Sequence, residues 1–247
     1  MFTWLLWGLF NVLVIGLLAL DLGVFHRKSH EVTAKEASAW TAVWVSLALL
    51  FNLFIYFWRG TTPALEYLTG YLMEESLSVD NIFVFVMILS YFKVPKQYQH
   101  RVLFWGVIGA LVLRATFIGV GAALISRFHW ILYLFGAFLV FTGIKMGLKS
   151  DDEVEVDENG LVKWVRKFLP VTSRYHYDHF FVREDGRLAA TPLLLVLLMI
   201  ESSDIIFAFD SIPAIFSVTQ DPFIVYTSNI FAIMGLRSLF FLLASVV

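Results

Sequence analysis

The sequence predicts an all-α polytopic membrane protein of seven transmembrane helices, containing a three-helix repeat inverted across the bilayer, with its second copy incomplete. Three observations carry this prediction. Of the 247 residues, 59% are hydrophobic and 15% charged, against about 45–50% and about 25% in a soluble domain. The apolar residues form continuous runs of roughly the 20 residues a bilayer requires, not alternating stripes. Finally, two of those runs carry matching sets of acids, so that a shift of 130 residues lays Glu74 on Asp204.

The predicted spans are 2–25, 38–58, 64–92, 102–125, 130–148, 192–216 and 223–247. The first is too long for the apolar core of a signal peptide and lacks both a basic leader and a small-residue cleavage site. His26, Arg27 and Lys28 come after it instead. Trp4, Trp7, Trp40, Trp58, Trp105 and Trp130 fall near span ends, where interfacial aromatics belong. Basic residues concentrate in alternate loops: Arg27, Lys28 and Lys35, then Lys93, Lys96 and Arg101, then seven in 149–191. The positive-inside rule then places the N-terminus outside and the C-terminus in the cytoplasm, in a cell (inner) membrane. The net charge of −2 is uninformative, and with no cysteine the chain has neither disulfides nor thiolate ligands.

The chain divides into four regions: 1–63 with two N-terminal helices, 64–148 as the first repeat, 149–191 as a cytoplasmic loop, and 192–247 as the second repeat, with two helices and no third. The loop opens with the acidic run Asp151–Glu158, read as a solvated linker. Leu161, Trp164, Val165, Phe168 and Leu169 recur at helical spacing with Lys163, Arg166 and Lys167 between them, predicting an amphipathic helix on the inner membrane surface that Pro170 ends. Asp185-Gly186 predicts a hairpin. His176-x-x-His179 beside Asp178 is a weak metal signal, having no third ligand.

The repeat is specific. Asp80-Asn81-Ile82 lands on Asp210-Ser211-Ile212, so both halves read acid-x5-Asp-[Asn/Ser]-Ile. The next helix of each half carries an intramembrane arginine, Arg114 and Arg237. By the predicted topology the two acid-bearing spans run in opposite directions, as in transporters built from inverted repeats. The first repeat has a third helix over 133–146 without a counterpart in the second, so the chain is expected to be a fragment of a longer protein.

Each charge near a bilayer centre costs roughly 2.5–3.5 kcal/mol. Glu74, Glu75, Asp80, Glu201, Asp204 and Asp210 together demand compensation, and a cation supplies it. Salt bridges alone are the rival explanation, but Arg114 and Arg237, even with Lys145, cannot neutralise six acids. The candidate metal ligands are Glu74, Asp80, Asn81, Glu201, Asp204, Asp210 and Ser211, with Arg114 and Arg237 compensating charge. This all-oxygen set suits Mg, Ca or Mn, with Na+ or H+ still open. Glu75 is the lesser acid, its mate being Ile205; Asp21 and Asn52 lie outside the repeat. Glu74 and Asp80 stand six residues apart, about 120° around a helix. They therefore serve two faces, or the helix unwinds between them. In the second half Pro213 favours unwinding, because it withdraws a hydrogen bond from the Phe209 carbonyl. Glu74, Ser78 and Asn81 share one face. The pairing of Asp80 with Asp210 is the expectation on which the site leans hardest.

Glu74-x3-Ser78-Val-Asp80-Asn81 and Glu201-x-Ser203-Asp204-Ile-Ile-Phe-Ala-Phe-Asp210-Ser211-Ile-Pro213-Ala214 resemble the signature segments of TerC family integral membrane proteins, most closely the Alx branch. The similarity extends to Phe135–Met146, His179–Arg183 and Thr219–Ile224. Glu75 departs from it, since the Alx branch often has a basic residue there. The resemblance implies about nine spans, a function in Mn2+ export, and the older description of a membrane-bound redox modulator. It implies site roles for Glu74, Asp80, Glu201, Asp204 and Asp210.

The expected function is therefore divalent-cation transport, with Mn2+ as cargo, exported by alternating access at a midplane carboxylate site. No enzymatic role, organic cofactor or nucleic-acid partner is expected; the partners are the metal ion and the lipid bilayer. The alternatives are a non-transporting metal-sensing or redox and stress-response scaffold acting through 149–191, and a Na+ or H+ coupled transporter. An intramembrane aspartyl protease would need Gly-x-Gly-Asp, whereas the acids come after Ser-Val, Ser-Ser and Ala-Phe.

Overall fold

A computed structural model describes residues 2–20, 33–148, 167, 170–172, 174–184 and 187–244. Its elements are α1 (Phe2–Leu20), α2 (Ala34–Arg59), α3 (Thr61–Tyr91), α4 (Lys96–Arg127), α5 (Ile131–Leu148), β1 (Phe181–Glu184), β2 (Arg187–Ala190), α6 (Pro192–Val218) and α7 (Pro222–Ala244). One helix thus falls on each predicted span. Four of them, α2, α4, α6 and α7, are long and apolar enough to cross a membrane. The chain divides into two units, 1–31 and 32–247. The first holds α1, in which Asn11 Nδ2 donates to the Trp7 carbonyl at 2.8 Å. The second holds α2 to α7 and the hairpin.

Helix α2 starts where Thr33 accepts a hydrogen bond from the Glu36 amide at 3.3 Å, the Ser/Thr-x-x-Glu arrangement that satisfies free amides at a helix start. It ends at Gly60, which alone separates it from α3. Gly60 has φ 92°, a conformation glycine adopts without a Cβ penalty, while its amide still reaches the Tyr56 carbonyl at 3.0 Å. Helix α6 begins with Pro192, whose missing N–H costs nothing in a first turn. At the start of α7, Asp221 Oδ1 accepts from the amides of Phe223 (2.9 Å) and Ile224 (3.4 Å).

Packing centres on α7, buried on every side from Phe223 to Ser238, the pattern of a core helix. Both α3 and α4 pack against both α6 and α7, whereas α3 scarcely touches α4 and α6 scarcely touches α7. Helices consecutive in sequence are therefore interleaved with the other pair. Helix α2 lies against α3 and α7, and α5 lies chiefly against α6. A dry cluster including Ile82, Phe85, Val102, Val196, Ile200 and Leu236 closes one end. Outward on α2 and α5, Leu50, Leu53, Phe57, Phe141 and Ile144 are exposed, as lipid-facing positions should be.

The hairpin forms as predicted, β1 antiparallel to β2 with Phe181 opposite Ala190 and Glu184 opposite Arg187. The predicted amphipathic helix over 161–169 and the acidic run lie outside the described residues, apart from Lys167.

Both α3 and α6 are continuous, correcting the unwinding expected at Pro213. Pro213 is buried inside α6, and Ile212, Ile215 and Phe216 around it are buried too. Packing on both sides carries the helix through the lost hydrogen bond.

Candidate functional site

Because α3 is an unbroken helix, its acids divide between faces. Glu74, Ser78 and Asn81, at offsets of four and seven, are all buried. Glu75 is half-buried and Asp80 is exposed. On α6 the same rule buries Asp204 and Ser211 and leaves Glu201 and Asp210 half-buried.

The buried acids meet Arg114 of α4. Its Nη1 lies 2.6 Å from Glu74 Oε1, 2.7 Å from Ser211 Oγ and 2.8 Å from Asn229 Oδ1 of α7. Four helices thus converge on one nitrogen. The Glu74, Arg114 and Asn229 side chains are 2%, 3% and 0% exposed, so the charges are almost wholly out of solvent. Asp204, 4% exposed, lies within electrostatic reach of both Arg114 and Glu74. Breaking such a pair by removing one partner typically costs about 3–5 kcal/mol, because a buried charge is stranded.

Antiparallel packing sets the levels. Glu74 meets Ser211 through Arg114. One turn away, a Cβ on Gly70 would stand 2.7 Å from Ile215 Cδ1 and 2.9 Å from Ser228 Oγ. The same register carries Asn81 to the level of Asp204. Asn81 Oδ1 and Asp204 Oδ2 are buried and have no hydrogen-bond partner among the described residues. Each buried acid therefore stands at the level of a neutral polar residue on the other helix: Glu74 with Ser211, Asp204 with Asn81.

Glu201 takes a third position. Its carboxylate occupies the space that a Cβ on Gly109 of α4 would fill, so the missing side chain there admits an acid against the α4 backbone. Asp210 faces a groove of about 530 Å³ lined by Thr69, Leu72, Met73, Ser76 and Leu77 of α3, Leu139 of α5 and Ala214. Asp80 does not line that groove; it lies three residues, or roughly 4.5 Å, further along α3 than Leu77. Arg237 is buried on α7. Among the described residues no three His, Cys, Asp or Glu side chains converge on one point. A cation here would need neutral oxygens as well, and Ser211, Asn229 and Asn81 are buried candidates to provide them.

Sequence reasoning misses Asn229. Its signal is the polar triplet Thr227-Ser228-Asn229 within a largely apolar helix. Gly109 and Gly70 likewise gain meaning only from the side chains that fill their missing Cβ positions.

Away from the acids, the segment before α6 is tied to the α3–α4 turn. Tyr175 Oη donates to the Phe92 carbonyl at 2.7 Å, and burial pushes its pKa up to about 12, so it remains a donor at any physiological pH. Arg101 pairs with Asp178 and lies over the Phe180 ring. His179 spends its carbonyl on Thr191 Oγ1 at 2.7 Å, and His176 Nε2 lies 3.3 Å from Glu184. At the opposite end, Arg59 pairs with Asp221, and Thr219 Oγ1 donates to Glu66 at 2.7 Å.

The family model described as "Integral membrane protein TerC family" matches residues 59–247. A membrane protein of Myxococcus xanthus is 57% identical, over 98% of this chain and 76% of its own length. Alx of Escherichia coli K12, named as a candidate membrane-bound redox modulator, is 54% identical over 99% of this chain and 79% of its own. A Rickettsia bellii membrane protein is 44% identical over 98% of this chain and 80% of its own. No solved structure matches.

Proposed function

We propose that this chain, which belongs to the TerC family of integral membrane proteins, moves a divalent metal cation, Mn2+ foremost, across the bilayer. It is a multi-pass membrane protein. The supporting observation is the buried polar core in which Glu74, Ser211 and Asn229 surround Arg114 between four helices, with the buried Asp204 further along α6. Hard oxygen donors of this mixture suit Mn2+, Ca2+ or Mg2+. Intramembrane acids facing the interior of a bundle mark ion pathways.

Glu74 and Asp204 supply the central charge, and Ser211 and Asn81 the neutral oxygens at their levels. Asp210 in its groove, Glu201 against Gly109 and Asp80 further along α3 form outlying stations. Interleaving of the two helix pairs suits alternating access, because rocking α3 and α4 against α6 and α7 would move both repeat acids relative to their partners. Export, an inner-membrane location and an outside N-terminus complete the proposal.

The test is flux into proteoliposomes with Mn2+, Ca2+, Mg2+ and Na+ offered in turn. Saturable Mn2+ flux that is lost in Glu74→Gln and Asp204→Asn is expected. Flux of none of the divalent ions would overturn the proposal, and Na+ flux alone would replace it with the monovalent alternative.

A further inference from the structure

We infer that Arg114 is a tethered counter-cation that competes with the transported ion for one set of oxygens. The inference rests on the transport reading above and specifies how its site is held when no ion is bound. Three oxygens crowd a single Arg114 nitrogen: Glu74 Oε1 at 2.6 Å, Ser211 Oγ at 2.7 Å and Asn229 Oδ1 at 2.8 Å. An Nη1 carries two protons. Both go to neutral oxygens, Ser211 Oγ and Asn229 Oδ1, so Glu74 Oε1 is held at the same nitrogen by charge, with no hydrogen bond among the described residues. A guanidinium used purely as a brace would spread its five donors around the fork. Convergence of a carboxylate, a hydroxyl and an amide oxygen on one point is instead the donor arrangement of a hard cation, whose oxygen ligands stand at about 2.0–2.6 Å. A metal ion would need those oxygens to close in by only a few tenths of an ångström.

A second, independent observation comes from the next level of the same helices. Asp204 Oδ2 and Asn81 Oδ1 are buried without a hydrogen-bond partner among the described residues, and Asp204 lies within electrostatic reach of Arg114. A carboxylate oxygen rarely stays unpartnered in a buried site. It would gain a partner if a cation entered while Arg114 gave up Glu74. Ion entry and the Glu74–Arg114 pair are therefore alternatives. The arginine keeps the carboxylates from being stranded during the return step, and it weakens ion binding enough for release.

The test measures Mn2+ binding to the purified chain, by loss of the free-ion electron paramagnetic resonance signal, in wild type, Arg114→Gln and Arg114→Lys. Arg114→Gln is expected to bind Mn2+ at least tenfold tighter and to transport it more slowly, with both KM and kcat falling. Arg114→Lys, which keeps the charge but has a single ammonium, should bind a few-fold tighter and serves as the readout if Arg114→Gln fails to fold. Guanidinium ion at non-denaturing concentration should displace Mn2+ from Arg114→Gln and leave wild-type binding unchanged. Unchanged or weaker Mn2+ binding in the folded variants, or no displacement by guanidinium, would overturn the counter-cation role while leaving transport standing. Absence of Mn2+ binding in wild type and variants alike would overturn both.

Discussion

Glu74 and Asp80 belong to one helix, and Asp204 and Asp210 at the same spacing to another, yet the first member of each pair is buried and the second is not. Asp80 is exposed, and Asp210 opens into a groove against α5. Six residues of continuous helix account for this, since they turn a side chain by about 120° and advance it by about 9 Å. Matching acid-x5-Asp spacings thus deliver two kinds of acid. One is out of solvent between packed helices, with Glu74 paired to Arg114; the other is exposed or half-buried.

The sharpest way to break that contrast is to strand a charge. Arg114→Ala should destabilise the protein by about 3–5 kcal/mol, read as the fall in unfolding temperature in detergent, because Glu74 loses its partner within the core. The double variant Glu74→Gln, Arg114→Gln should recover much of that loss. If the single and double variants are equally unstable, the pair contributes packing alone.

Next in size is the register that aligns the two levels. Gly70→Ala places a Cβ 2.7 Å from Ile215 Cδ1 and 2.9 Å from Ser228 Oγ. Overpacking of about 1–3 kcal/mol outweighs the gain of up to about 1 kcal/mol in helix propensity, so a net loss of about 1 kcal/mol is expected, relieved by Ile215→Val. A stabilised Gly70→Ala would show that the ends of the Ile215 and Ser228 side chains give way at little cost. At Gly109, alanine should displace the Glu201 carboxylate and weaken Mn2+ binding by a few-fold if Glu201 serves the ion path; unchanged binding would remove Glu201 from it.

Smaller still is the tie between the α3–α4 turn and the segment before α6. Tyr175→Phe loses the bond to the Phe92 carbonyl and should cost about 0.5–1.5 kcal/mol, with Mn2+ affinity unaltered. Smallest is Asp80→Asn, expected within about 0.5 kcal/mol of wild type in stability, as for an exposed position.

Much of this is legible in the sequence. Apolar runs announce their helices, and α3 reads as a span although its acids keep it out of the four that qualify on apolarity. Glu74, Asp204 and Arg114 stand out because charge is costly in an apolar run. Asn229 does not, having no acid and no repeat mate to draw the eye. The separate fates of Asp80 and Asp210 depend on which faces α5 and α7 cover, and a single helix pattern cannot encode its neighbours. Pro213 marks a break in isolation, but tertiary packing around Ile212 and Phe216 overrides it.

The most direct measurement is Mn2+ flux into proteoliposomes carrying Asp204→Asn beside those carrying Asp80→Asn. The buried-core assignment predicts flux abolished by the first and reduced a few-fold at most by the second. Wild-type flux in Asp204→Asn, or abolition by Asp80→Asn alone, would contradict it.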